Sequence, residues 1–211
     1  MIKKSKPYNL NKIFTSEGFY EYLALPPIRK IPNIQEALTH YKHRIQEQFE
    51  SGEQLHYMTD QIYTSKFIFP DNQYYEISWN IAKAKDLLKQ CGAPIVQLSL
   101  DKIADSIFEK DLTLAHVEKA RQNNNPIIVT FYEPTQSFVV IDGNHRAYAK
   151  LQDKKETTID AYILSPQGHM ASMCSTLDYA LYMFAHNLNL FGNYVCGEIE
   201  YENLLEAMYK F

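Results

Sequence analysis

A chain of 211 residues, 45% of them apolar and only 7 of them glycine, is long enough for one sizeable domain or a small domain with a companion, and too apolar to stay disordered. Apolar runs such as Ile127 to Val129 and Phe138 to Ile141 fall far short of the roughly 20 residues that a membrane span needs, and no apolar block follows the charged Met1 to Lys6, so a signal peptide is not expected. The net charge of −4, with Lys and Arg scattered along the chain, leans against duplex DNA, which demands several simultaneous phosphate contacts.

Residues 1–32 carry Pro7, Pro26, Pro27 and Pro32 and little periodicity, so an irregular arm is expected, with one helical turn near Phe19 to Leu23. Asn33 followed by Glu36 has the form of a capping box. Ile34, Leu38, Tyr41, Ile45 and Phe49 then recur at helical spacing until Ser51-Gly52. His40 and His43 on the other face could share a metal, but a solvated face of the helix is the favoured reading. Lys66 to Phe69 reads as a strand running into Pro70-Asp71-Asn72, with Tyr74 to Ile77 as its hairpin partner. Trp79 to Lys89 reads as a helix ended by Gly92 and Pro94.

After Pro94 the texture changes. Ile95 to Leu100 alternates as a strand, Asp111 caps a short helix through Arg121, and Asn123-Asn124-Asn125-Pro126 breaks it. Two apolar strands follow, Ile127 onward and Phe138 to Ile141, then a helix Asn144 to Gln152 and a strand Thr157 to Leu164. Beyond Ser165 to Gly168 the spacing of Leu177, Leu181, Phe184, Leu188 and Phe191 predicts a helix ended by Gly192, and Glu200 to Tyr209 a shorter one. The apolar stripe of the first suits packing on the domain or a homodimer interface. This order is α+β, divided into an N-terminal extension (1–92), a core (93–166) and C-terminal helices (167–211). Cys91, Cys174 and Cys196 are odd in number and form no Cys-x-x-Cys pair, which favours a reduced, cytoplasmic setting.

The chemistry concentrates at Asp142-Gly143-Asn144-His145-Arg146, where a strand empties through a glycine onto a helix. The first N–H groups of a helix have no intrahelical partner, and its dipole places partial positive charge there, so this corner suits a phosphate. His145 adds a switchable donor and Arg146 a forked, permanently charged one.

In the order of their parts, residues 95–165 resemble the ParB/sulfiredoxin superfamily. The likeness rests on Leu-Ser-Leu-Asp-Lys-Ile closing the first strand, Asn-Pro-Ile-Ile-Val, Phe-Val-Val-Ile-Asp, the corner Gly-Asn-His-Arg-Ala-Tyr-Ala, and Thr-Ile-Asp-Ala-Tyr-Ile-Leu. The resemblance implies a mixed sheet with helices and a nucleotide, ATP or another nucleoside triphosphate, whose phosphates sit on Gly143, Asn144, His145 and Arg146. Sulfiredoxins carry a catalytic cysteine where this chain has Asn144, so sulfinic acid repair is not expected. ParB-type partition proteins bind cytidine triphosphate and continue into a DNA-reading module for which 167–211 is short and apolar. The free-serine kinases have a similar Asp-Gly-x-His-Arg corner, and in that branch an acidic residue after the first strand acts as base on the substrate hydroxyl. Asp105 and Glu109 occupy the corresponding stretch here.

Phosphoryl transfer asks mainly for positioning and charge neutralisation. Arg146 can bridge phosphate oxygens, His145 can donate to another, Asp142 can hold magnesium, and Asp105 or Glu109 can take the hydroxyl proton. Thr113 and Lys119 could reach the nucleotide from the other side. The expected activity is an ATP-dependent phosphotransferase acting on a small-molecule or side-chain hydroxyl. A non-catalytic nucleotide sensor and a DNA-binding or nuclease protein are the alternatives. Structural roles compete throughout, since Asp142 could cap the helix and Arg146 could pair with Asp160.

Overall fold

The computed structural model describes residues 6–23, 25–55, 61–109, 112–153 and 156–210. In chain order the elements are β1 (Tyr8–Asn9), α1 (Ser16–Tyr22), α2 (Ile34–Ser51), β2 (Ile62–Ile68), β3 (Tyr74–Asn80), α3 (Ile81–Gln90), β4 (Val96–Ser99), α4 (Leu114–Ala120), β5 (Ile127–Tyr132), β6 (Ser137–Asp142), α5 (Asn144–Asp153), β7 (Thr158–Leu164), α6 (Pro166–Ala171), α7 (Thr176–Val195) and α8 (Tyr201–Ala207). The class is α+β, with one sheet ordered β1-β3-β2 and another ordered β4-β7-β5-β6. No helix among the described residues is long and apolar enough to cross a membrane.

The chain divides into two compact units: Met1–Tyr57 with Thr64–Ser78 and Met173–Phe211, and Met58–Tyr63 with Trp79–Ser172. The division differs from one at 92/93 and 166/167. Helix α3 belongs with the second unit, where Asn80 Oδ1 caps it by accepting from the Lys83 N–H at 3.0 Å. Helix α6 belongs there too. Ser165-Pro166, next to the division drawn from sequence, supplies an N-cap hydroxyl that accepts from the Gly168 N–H at 3.1 Å and a proline at the first helical position, which are start signals for a helix.

In the first unit α2 and α7 bury their apolar faces on each other. Tyr41 meets Phe184 at 5.5 Å between ring centroids, and Phe14 meets Phe184 at 5.2 Å. Leu181, Phe184, Leu188 and Phe191 are all buried, so the stripe left open as a dimer face is consumed inside this unit. Asn187, also buried, donates to the Tyr41 hydroxyl and to the Tyr209 carbonyl and accepts from the Tyr209 N–H. Two end signals resolve differently from their sequence form. Asn33 sits in the left-handed region at φ 56° and makes no side-chain cap, a conformation asparagine tolerates better than most residues, so no capping box forms. Helix α7 runs through Gly192 and ends at Val195, with Cys196 as its C-cap and Gly197 beyond it at a φ of 79°.

The second unit is built on the four-stranded sheet. β7 lies antiparallel to β4 and parallel to β5, and β5 and β6 form an antiparallel hairpin. Leu98, Ile103, Ile127, Val129, Val140, Ala147, Ile159 and Ala161 make its core. The β5–β6 register pairs Ile128 with Asp142 but Val129 with Val140, so it skips Ile141. Side chains alternate with a period of two, and Asp142 would otherwise share the core face of Val140. The skip turns the carboxylate out of the core at the point where α5 begins. Asp111, expected to cap α4, lies outside the described residues; the N-cap position is Thr113, which makes no side-chain cap bond.

Candidate functional site

Gly143 joins β6 to α5 with φ at +97°, a backbone region that disfavours a side chain. A Cβ there would stand 2.6 Å from Arg146 Nη2 and 2.6 Å from Ile127 Cγ2. The missing side chain therefore seats the Arg146 guanidinium, which folds back over the strand end. Its Nη2 donates to the Pro126 carbonyl at 3.4 Å and faces Asp142 Oδ2 at 3.5 Å, and its Nε is buried with no hydrogen-bond partner. Asp142 pairs more closely with Lys85 of α3, at 3.2 Å. Asp160 is engaged elsewhere, accepting from Gln97.

Two cavities flank this corner, both within the second unit. The larger, about 700 Å³, ends on Asp142, Gly143, Asn144 and His145, with Lys85 and His116 on its walls and Ile62, Tyr63, Ile81, Phe108 and Leu112 forming an apolar side. The smaller, about 440 Å³, is lined by Lys85, Lys89, Asn125, Asp142, Arg146 and Tyr162 around Leu88 and Ile128. Lys85 and Asp142 are common to both. Successive helical residues project about 100° apart, so His145 faces the first cavity while Arg146 faces the second.

His145 is held by the backbone of α4, with the Thr113 N–H donating to its Nε2 at 3.3 Å. An Nε2 that accepts carries no proton, which fixes the neutral ring with its hydrogen on Nδ1. Burial lowers the His145 pKa, and the nearby His116, 5.3 Å away between ring centroids, lowers it further. At neutral pH this imidazole is thus a neutral donor through Nδ1. Asn144 is also committed in part, its Nδ2 donating to the Val140 carbonyl at 3.0 Å. The first backbone N–H groups of α5 remain without intrahelical partners.

The structure brings Asp142, Gly143, Asn144 and His145 together on one cavity and sends Arg146 to its neighbour. Thr113 contributes its backbone N–H to His145 and lines neither cavity. Asp105 is exposed on a 3₁₀ turn, Ala104–Ser106, and Glu109 hydrogen-bonds the Tyr148 hydroxyl, raising its pKa; neither lines either cavity. Asp142 is the one carboxylate that does, among the described residues. No three His, Cys, Asp or Glu side chains among the described residues converge as a metal-ligand group. Lys85, Tyr63, Phe108 and His116 are the lining groups that sequence reasoning missed. Lys85 and Tyr63 belong to a region without a motif, and His116 reads from sequence as one more polar residue on a helix surface. Comparisons with models of known protein families, with curated proteins and with solved structures find no match.

Proposed function

We propose that the second unit binds a nucleoside triphosphate in the larger cavity and transfers its terminal phosphoryl group to a hydroxylated small molecule or side chain. The observation that carries this is the cavity of about 700 Å³ that closes on the α5 N-terminus, with a lysine ammonium beside it and an apolar, aromatic wall opposite. Such a site offers donors and positive field to phosphates, and Phe108 and Tyr63 offer flat apolar surface to a base. The resemblance of residues 95–165 to the ParB/sulfiredoxin superfamily, whose sheet-to-helix glycine corner binds nucleotides, supports the same ligand class. Lys85 neutralises charge on the phosphates. His145, neutral and donating through Nδ1, orients one of their oxygens.

The donor set fits magnesium that arrives with the phosphates instead of in a protein cage, since magnesium is commonly held by one or two carboxylates plus substrate oxygens. Asp142 would hold it, directly or through water, and the ion would supply charge neutralisation. Phosphoryl transfer relies on positioning more than on a strong base, so the site does not require Asp105 or Glu109 as bases. Their position off both cavities does favour a second reading, in which the nucleotide is bound without turnover and serves as a signal.

Calorimetric titration with magnesium ATP, ADP and CTP tests the binding. Lys85→Met and Phe108→Ala should each weaken affinity about tenfold, the size of one charge-assisted contact or one stacked ring. Equal affinity in the parent and both variants would sink the proposal. Acceptor-dependent release of the nucleoside diphosphate separates transfer from signalling.

A further inference from the structure

The smaller cavity differs in kind from its neighbour. Of its charged groups Lys85, Lys89 and Arg146 are cations and Asp142 is the only carboxylate, three charges against one, leaving two positive charges uncompensated. Lys85 and Lys89 stand four residues apart on α3, so their side chains share a helix face. The Arg146 side chain is 15% exposed, yet its contacts lie at 3.4 and 3.5 Å and its buried Nε has no hydrogen-bond partner. A guanidinium withdrawn from water and held this loosely gains by the arrival of an anion.

We propose that this cavity is a binding site for a phosphate dianion, either inorganic phosphate or the phosphate of a small monoester. Two net positive charges match a dianion, whereas a monocarboxylate would leave one unneutralised. A guanidinium fork with two ammonium groups also gives a tetrahedral phosphate both directed and point-charge contacts. A volume of about 440 Å³ holds a phosphate with a compact organic body, within the range of small-molecule clefts. The site stands on its own lining and does not depend on a nucleotide next door.

The test is calorimetric titration of the full chain at pH 8 with inorganic phosphate, methyl phosphate and acetate, for the parent and for Lys89→Ala. Lys89 is exposed and lines only this cavity, so its loss leaves the fold intact and removes no lining group from the larger cavity. Phosphate should bind with a Kd below about 1 mM and weaken about tenfold in Lys89→Ala, with acetate far weaker than phosphate. Tighter binding of methyl phosphate than of phosphate identifies a monoester as the natural ligand, and equal binding identifies free phosphate. No saturation by either phosphate up to about 10 mM, an unaltered Kd in Lys89→Ala, or acetate binding as tightly would overturn the proposal. Intact phosphate binding in a protein that ignores nucleotides would overturn only the function proposed for the larger cavity.

Discussion

Acidification should destabilise the second unit through His169. This histidine of α6 is 1% exposed and packs against both Trp79 and Tyr132, at 5.7 and 5.8 Å between ring centroids. Burial pushes its pKa down from the ordinary 6.5 to about 4. Between those values the unfolded chain takes up a proton that the folded chain refuses. Stability is therefore full above pH 6.5, falls as the pH drops toward 4, and falls no further on this account below that. At about 1.4 kcal/mol per pH unit the gap amounts to about 3 kcal/mol, a large share of a domain's stability. Urea titrations at pH 7 and pH 4.5 measure it, because Trp79 is the only tryptophan and its fluorescence reports the unfolding of this unit. His169→Leu, close in volume and unable to titrate, should lose stability at pH 7 yet show a pH dependence smaller by about 2–3 kcal/mol. Equal pH dependence in parent and variant would refute the claim that burial holds this ring neutral.

Gly143→Ala should destabilise by at least about 3 kcal/mol, from the strained φ and from displacing Arg146 and Ile127. In an Arg146→Ala background the cost should shrink by about 1 kcal/mol or more, read as a coupling between the two sites; strictly additive urea midpoints would contradict the packing of the guanidinium on Gly143. The Thr113 amide should report the protonation of His145, because a proton on Nε2 removes its acceptor. Its NMR resonance should titrate with a midpoint below 6.5, and a midpoint at or above that value would show that the ring is not held neutral by burial and His116.

The elements with a clean period were legible in the sequence. Helix α2 shows its buried Ile34, Leu38, Tyr41 and Ile45 at helical spacing, and the run from β5 to β7 is marked by apolar strands, a glycine and a second strand. Boundaries failed where one residue type serves two geometries. Asn33 can cap through its side chain or adopt the left-handed backbone, and local sequence does not separate the two. Gly192 can end a helix or sit inside one; the surrounding packing decides, and here the nearest outside atom to a Cβ at that position would be Leu23 Cδ2 at 3.4 Å. The larger cavity was legible only along one wall. Asp142 to His145 announce themselves as a motif, but Lys85, Tyr63, Phe108 and His116 reach the same space from three other segments, and only the fold states that they meet.

The fate of Arg146 shows why a short motif underdetermines its own site. From sequence, His145 and Arg146 are adjacent donors at one helix start, and it is natural to aim both at one phosphate. In the first turn of a helix adjacency in sequence separates directions by about 100°. The glycine that permits a tight turn also leaves room over its Cα, and the guanidinium occupies that room. One residue thus leaves backbone N–H groups open on one side and supports an arginine on the other. Lys85 and Asp142 are shared by both cavities, so if both take the anions proposed for them, charge brought to one must alter the field at the other. Phosphate bound in the smaller cavity should therefore weaken a triphosphate in the larger one, an effect that Lys89→Ala relieves without touching the nucleotide. Calorimetric titration with magnesium ATP at zero and saturating phosphate reads that coupling directly, and equal affinities in the two conditions would mean that Lys85 and Asp142 form a partition and not a link.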